Sequence, residues 1–219
     1  VDNYNVGAKT WKSIGSASIT GTGSGGITLG DDKVDTVMNK REIKYVQGNT
    51  ATSFNFKDIL ATQYTICTVS RYTGTAFGRI FNGGSGNWLH GHWAGQAASF
   101  HYDANLGRLV PNGNTNPPTT TNENRKRWIA ACATNKGGND PYFVNGVKYT
   151  AKGGTSKPTS VRINNWDHSD WGVAFVATWN YHMPEADMKK MSDWLNPETT
   201  YTKTQTRSTI QNWNLRNWR

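Results

Sequence analysis

The sequence predicts an all-β sandwich of two antiparallel sheets closed by one short C-terminal helix, and three observations carry that expectation. First, Ser160–Leu195 reads as a strand, a turn, a second strand and a helix. In the second strand Trp171, Val173, Phe175, Ala177 and Trp179 alternate with smaller residues, the period-2 spacing of a strand covered on both sides. Second, clear helical spacing is confined to Met188, Met191 and Leu195, behind Pro184, which suits the first position of a helix. Third, 23 Gly and ten Trp among 219 residues describe short strands, many turns and large aromatic plugs. A chain of this length can fold as a single well-buried domain.

Taken in order, residues 17–22, 27–30 and 41–47 read as short outer strands in a Gly- and Ser-rich stretch. Phe54–Tyr72 (FNFKDILATQYTICTVSRY) contains a long strand, and Arg79–Asp103 contains two more with a break at Gly95-Gln96. Asn105–Asn124, with Pro117-Pro118 and the run Thr119–Thr121, is the longest expected loop. Arg127–Thr134 (RWIAACAT) and the hairpin Tyr142–Tyr149 (YFVNGVKY) precede the closing unit, and the Gly137–Asp140 tip reads as a connecting turn. Cys67 and Cys132 sit among apolar or small neighbours, which predicts buried free thiols ahead of a bridge between neighbouring strands.

Four of these segments resemble one family in register. The closing segment fits W-x-V-A-x-V-x-x-[WY]-N-x-x-[ML]-[PS]-x-A-[DE]-[MI]-x-x-[ML]-x-x-[WY]-L, Phe54–Tyr72 an early x-T-I-x-x-x-x-R strand, Arg127–Thr134 a Trp-led strand, and Tyr142–Tyr149 an L-Y-V-N-G hairpin. Together, over roughly residues 50 to 196, they resemble LamG-like domains of the concanavalin A-like lectin/glucanase superfamily. The resemblance implies a concanavalin A-like jelly roll over residues 1–196, with 197–219 a basic, Trp-containing extension. It also implies glycan binding, and makes Ca²⁺ a candidate ligand.

The formal net charge of +9 favours anionic partners, above all an acidic or sulfated glycan. Nucleic acid is an unlikely partner, because the basic residues do not cluster into an arm and no nucleic-acid-binding signature accompanies them. Mean hydropathy is −0.70 and no apolar run reaches the length of a membrane span.

The segment expected to carry a site is RIFNGGSGNWLHGHWAGQAASFHYD, residues 79–103. On a strand, Trp88, His90 and His92 share one face and Leu89 and Trp93 the other, with His101 and Asp103 on the strand that follows. A ring covers the apolar face of a pyranose while imidazoles and amides bind its hydroxyls, so Trp88, His90, His92 and His101 are the carbohydrate-binding candidates. The competing reading makes Trp88 and Trp93 core and the histidines satisfied interior or surface groups. A metal held by His90 and His92 with His101 or Asp103 is a minor third reading. In the turn NNWDHSD, Asn165, Asp167 and Asp170 offer oxygens to Ca²⁺, although Asx residues also fill turns for conformational reasons.

Catalysis is not expected. The E-x-D-x-x-E strand of sandwich-fold glucanases is absent, and so are G-x-S-x-G, HExxH and a P-loop. Arg41-Glu42-Ile43 has a faint similarity to an alginate-lyase strand, without the residues that would complete that site. The leading expectation is a non-catalytic carbohydrate-binding or adhesion module, extracellular, on a cell or virion surface. The rival is a structural assembly protein, a coat, appendage or virion component, whose Trp213, Arg216 and Trp218 contact protein neighbours.

Overall fold

The computed structural model describes residues 4–12, 20–35, 40–102, 126–138, 141–150 and 157–197, which form two antiparallel sheets and one helix. The N-terminal strands are β1 (Tyr4–Asn5), β2 (Thr10–Lys12), β3 (Thr20–Ser24), β4 (Thr28–Asp35), β5 (Lys40–Gly48) and β6 (Ser53–Phe56). The central ones are β7 (Thr65–Phe77), β8 (Phe81–Gly83), β9 (Leu89–Trp93), β10 (Gln96–His101) and β11 (Ile129–Thr134). The last are β12 (Pro141–Val144), β13 (Val147–Thr150), β14 (Val161–Ile163) and β15 (Ser169–Trp179), followed by α1 (Glu185–Leu195). One sheet runs β1-β2-β3-β6-β14-β8-β9-β10 and the other β13-β12-β11-β7-β15-β5-β4. The fold is therefore the expected β-sandwich. The extension 197–219, with Trp213, Arg216 and Trp218, lies outside the described residues from Glu198 onward, as do Asp103 and the loop 105–124.

Alternation decides which side chains fill the space between the sheets. Phe54, Ile163, Phe81, His90 and Phe100 are cross-strand neighbours along one row of the eight-stranded sheet, and all five are buried on its inner face. From the seven-stranded sheet Ile66, Tyr72, Ala131, Ala133, Tyr142, Trp171 and Val173 meet them. A second cluster forms on that sheet's outer face, where α1 covers Cys67, Val69, Ala130, Cys132 and Phe143 with Met188 and Leu195. The helix therefore buries the methionine and leucine face that its spacing predicts. Pro184 sits one position earlier than expected, at the N-cap, with ψ 145 outside the helical range.

Two expectations need correction. The alternation along β15 is broken by register shifts between Ser169 and Trp171 and between Val173 and Phe175. Trp171, Val173 and Val176 pack in the inner core, whereas Ala174, Phe175 and Trp179 pack in the outer cluster with α1. One extra residue at a bulge carries the rest of the strand to the opposite face. The cysteines are not free thiols. Cys67 on β7 faces Cys132 on β11 directly across the strands, and the two form a disulfide with Cα atoms 4.1 Å apart.

The two-residue turn of the β12–β13 hairpin explains its Asn-Gly. Asn145 and Gly146 both have positive φ (49° and 77°), the conformation that suits a tight hairpin. The turn also docks α1, because the Gly146 amide donates to Ser192 Oγ and Asn196 Nδ2 donates to the Asn145 carbonyl.

Candidate functional site

Trp88, His90 and His92 do share a face, but it is the inner one, and all three side chains are fully buried. His90 Nε2–H donates to the Ala131 carbonyl of the opposite sheet, so Nδ1 accepts from the Tyr102 hydroxyl. His92 Nδ1 pairs with Ser70 Oγ, also across the sandwich, at 3.3 Å. Trp88 stacks on Tyr102 and donates from Nε1 to the Tyr64 hydroxyl. Desolvation lowers the pKa of both imidazoles to about 3, which keeps them neutral. These residues tie the two sheets together, and their burial removes them from any sugar contact. His101 differs. It lies on the outer face, half-buried, with Nδ1 donating to the Asn87 carbonyl.

The calcium candidates are directed at separate protein partners. Asn165 Oδ1 accepts from Arg162 Nη1, Asp167 Oδ2 from Trp93 Nε1, and Asp170 Oδ2 from the Thr75 and Ala76 amides. Calcium needs six or more oxygens that converge, and these serve three different strands. Among the described residues no three His, Cys, Asp or Glu gather as a metal site.

The two segments singled out in the sequence nevertheless meet, through other residues. Arg79, just before β8, donates from Nη1 to Asn87 Oδ1 at 2.7 Å, lies 3.5 Å from the Asp167 carboxylate, and stands 6.0 Å from the centre of the Trp93 ring. Burial lowers the Arg79 pKa from its ordinary value, and the Asp167 charge opposes that shift. The β14–β15 turn that carries Asp167 is pinned at both ends. Asn164, at positive φ, donates from Nδ2 to the Asn49 and Thr52 carbonyls and accepts from the Ser169 amide. His168 Nδ1 donates to the Thr50 carbonyl, and the turn's backbone passes so close to Gly78 that a Cβ there would strike the Asp167 and His168 carbonyls. On this fixed turn Trp166, the residue before Asp167, is 59% exposed.

Next to the turn, a row of side chains crosses the outer face of the eight-stranded sheet. Thr22, Asn55, Arg162, Asn82, Leu89 and His101 are successive cross-strand partners from β3 to β10. They occupy the face opposite Phe54, Ile163, Phe81 and His90. Burial peaks in the middle of the row: Thr22 is exposed, Asn55 and Arg162 are half-buried, Asn82 is 2% exposed and Leu89 is buried, and His101 is half-buried again. Arg162 joins the row to the turn through its bond to Asn165. The signal for it was present in the sequence, since FNF (54–56), FNG (81–83) and VRI (161–163) each place one polar residue between two core residues.

No protein-family model and no curated protein sequence matches the chain. Solved structures are similar to it in fold. Domain 4 of AbnA, an extracellular family 43 arabinanase from Geobacillus stearothermophilus solved with arabinotriose, matches 78% of this chain and 87% of its own, at 14% identity and TM-score 0.53. The binding domain of botulinum neurotoxin DC, solved with rat synaptotagmin II, matches 88% of this chain at 8% identity and TM-score 0.50, and the match spans 53% of that domain's length. A Trypanosoma rangeli sialidase mutant with trans-sialidase activity matches 90% of this chain but 33% of its own, at 9% identity and TM-score 0.50. These neighbours are β-sandwich domains from sugar-active and receptor-binding proteins, and at such identities the likeness is one of fold.

Proposed function

We propose that this domain binds carbohydrate without catalysis, through the end of the eight-stranded sheet where the β14–β15 turn presents Trp166. The carrying observation is the exposed Trp166 ring on a turn fixed by buried hydrogen bonds. A rigid aromatic can cover the C–H face of a sugar at little entropic cost, and its chain neighbour Asn165 brings an amide that can bind hydroxyls. The fold likeness to an arabinanase domain solved with arabinotriose supports this reading. The net charge of +9 favours acidic or sulfated glycans. Cys67–Cys132 suits an oxidising compartment, in keeping with an extracellular LamG-like adhesion module, and no described helix is long and apolar enough to cross a membrane.

A glycan array probed with the full chain tests this. A specific hit that weakens at least tenfold in Trp166→Ala, with the thermal midpoint unchanged, is the expected result. A hit that survives Trp166→Ala removes the platform, and silence across neutral, acidic and sulfated glycans removes the carbohydrate reading. Oligomers that dissociate on removal of residues 198–219 would instead favour an assembly role for Trp213, Arg216 and Trp218.

A further inference from the structure

Unmet hydrogen-bonding capacity is concentrated on the outer row of the eight-stranded sheet. Eleven buried side-chain nitrogens and oxygens lack a hydrogen-bond partner among the described residues, and four belong to three adjacent side chains. They are Asn55 Oδ1, Arg162 Nε, and both Oδ1 and Nδ2 of Asn82. Asn55 and Asn82 flank Arg162 as its direct cross-strand partners on β6 and β8. A buried polar group without a partner costs about 1–3 kcal/mol, so four together in one row are an expensive arrangement if they serve only the fold. Asn82 is the sharpest case, with both ends of its amide unpaired at 2% exposure.

Their chemistry specifies a ligand. Arg162 Nε–H and Asn82 Nδ2–H are donors, whereas Asn82 Oδ1 and Asn55 Oδ1 are acceptors. A neutral hydroxyl could satisfy either kind. Arg162, however, is a full positive charge with no carboxylate partner among the described residues, unlike Arg71, which Asp32 holds at 2.7 Å. A guanidinium beside an amide donor is suited to an acid group, and the neighbouring acceptors are suited to hydroxyls next to it. Gly84 lets the backbone pass close beside the row, since a Cβ there would strike Ser160 Oγ and lie 3.6 Å from Arg162 Nε.

We propose that Arg162, Asn82 and Asn55 form a subsite for an anionic sugar, a uronate or a sulfate ester. The acid group accepts from Arg162 and Asn82 Nδ2, while adjacent hydroxyls donate to Asn82 Oδ1 and Asn55 Oδ1. The subsite rests on the carbohydrate-binding reading and deepens it, because Asn165 joins Arg162 to the turn that carries Trp166.

The test is a titration of the full chain followed through the arginine Nε–H signals, with the Arg162 signal assigned by its loss in Arg162→Lys. The probes are glucuronate, glucose 6-sulfate, glucose and inorganic sulfate. The Arg162 signal is expected to shift and saturate with one or both acidic sugars, at concentrations at least tenfold below glucose or sulfate. Which acidic sugar binds more tightly separates carboxylate from sulfate ester. Asn82→Leu, which removes the unpaired amide while keeping four side-chain heavy atoms, is expected to abolish the shift in a folded protein. An unmoved Arg162 signal, equal shifts with glucose, sulfate alone at comparable concentration, or an undiminished response in Asn82→Leu would each overturn the subsite. A Trp166-dependent array hit with a silent Arg162 would sink the subsite and leave the carbohydrate reading intact. A responsive Arg162 with a hit indifferent to Trp166 would do the reverse to the platform.

Discussion

Acidification is expected to destabilise this domain by several kcal/mol well before most of its carboxylates protonate. His90 and His92 are held neutral with pKa values near 3, against 6.5 when unfolded. Between those values the unfolded chain binds protons that the folded one refuses, so stability falls as pH drops through 6.5 and stops falling near 3. Each buried imidazole contributes up to about 1.4 kcal/mol per pH unit in that window. Two of them acting over two units approach the whole stability of an ordinary domain, about 5–15 kcal/mol. Urea midpoints measured at several pH values should decline steeply below about pH 6, and His92→Gln should flatten the slope. A midpoint unchanged on mild acidification would mean that the imidazoles are not buried between the sheets.

Removing the disulfide is the second large effect. Cys67 and Cys132 close a loop with a sequence separation of 65, and the chain-entropy model gives about 4 kcal/mol for a loop of that size. The double variant Cys67→Ala/Cys132→Ala should therefore lose about 4 kcal/mol in equilibrium unfolding. Both sulfurs are fully buried beneath α1, so a reductant should leave the bond intact in the native protein and cleave it once denaturant opens the fold. Mass analysis after alkylation reads this directly. Labelling of both cysteines under native reducing conditions would place the bond at the surface and refute the packing described.

The class of fold was legible because it depends on local pattern. The strand–turn–strand–helix unit at 160–195 needs only period-2 spacing, Asx residues and a helical stripe. What failed depended on partners distant in the chain. Trp88, His90 and His92 share a face in any strand, but whether it looks inward is decided by Ala131 and Ser70 on the other sheet. The cysteines face each other because β7 and β11 are neighbours, a pairing that neither segment encodes alone. The row Asn55–Arg162–Asn82 is the opposite case. Each member is a polar residue between apolar ones, legible in its own triplet, yet the three become one surface only through the order β6-β14-β8.

The bulge at Ala174 also bears on how this chain can change. Phe175 and Trp179 reach the helix side of their sheet only because one additional residue precedes them, while Val176 turns inward by the same shift. An insertion or deletion of a single position between Trp171 and Phe175 would act as a frameshift in space, driving Phe175 and Trp179 into the filled interior and Val176 out of it. Substitutions of similar size are tolerable in this strand, whereas a change of length is not. Its spacing is therefore under tighter constraint than the identity of any one residue it contains.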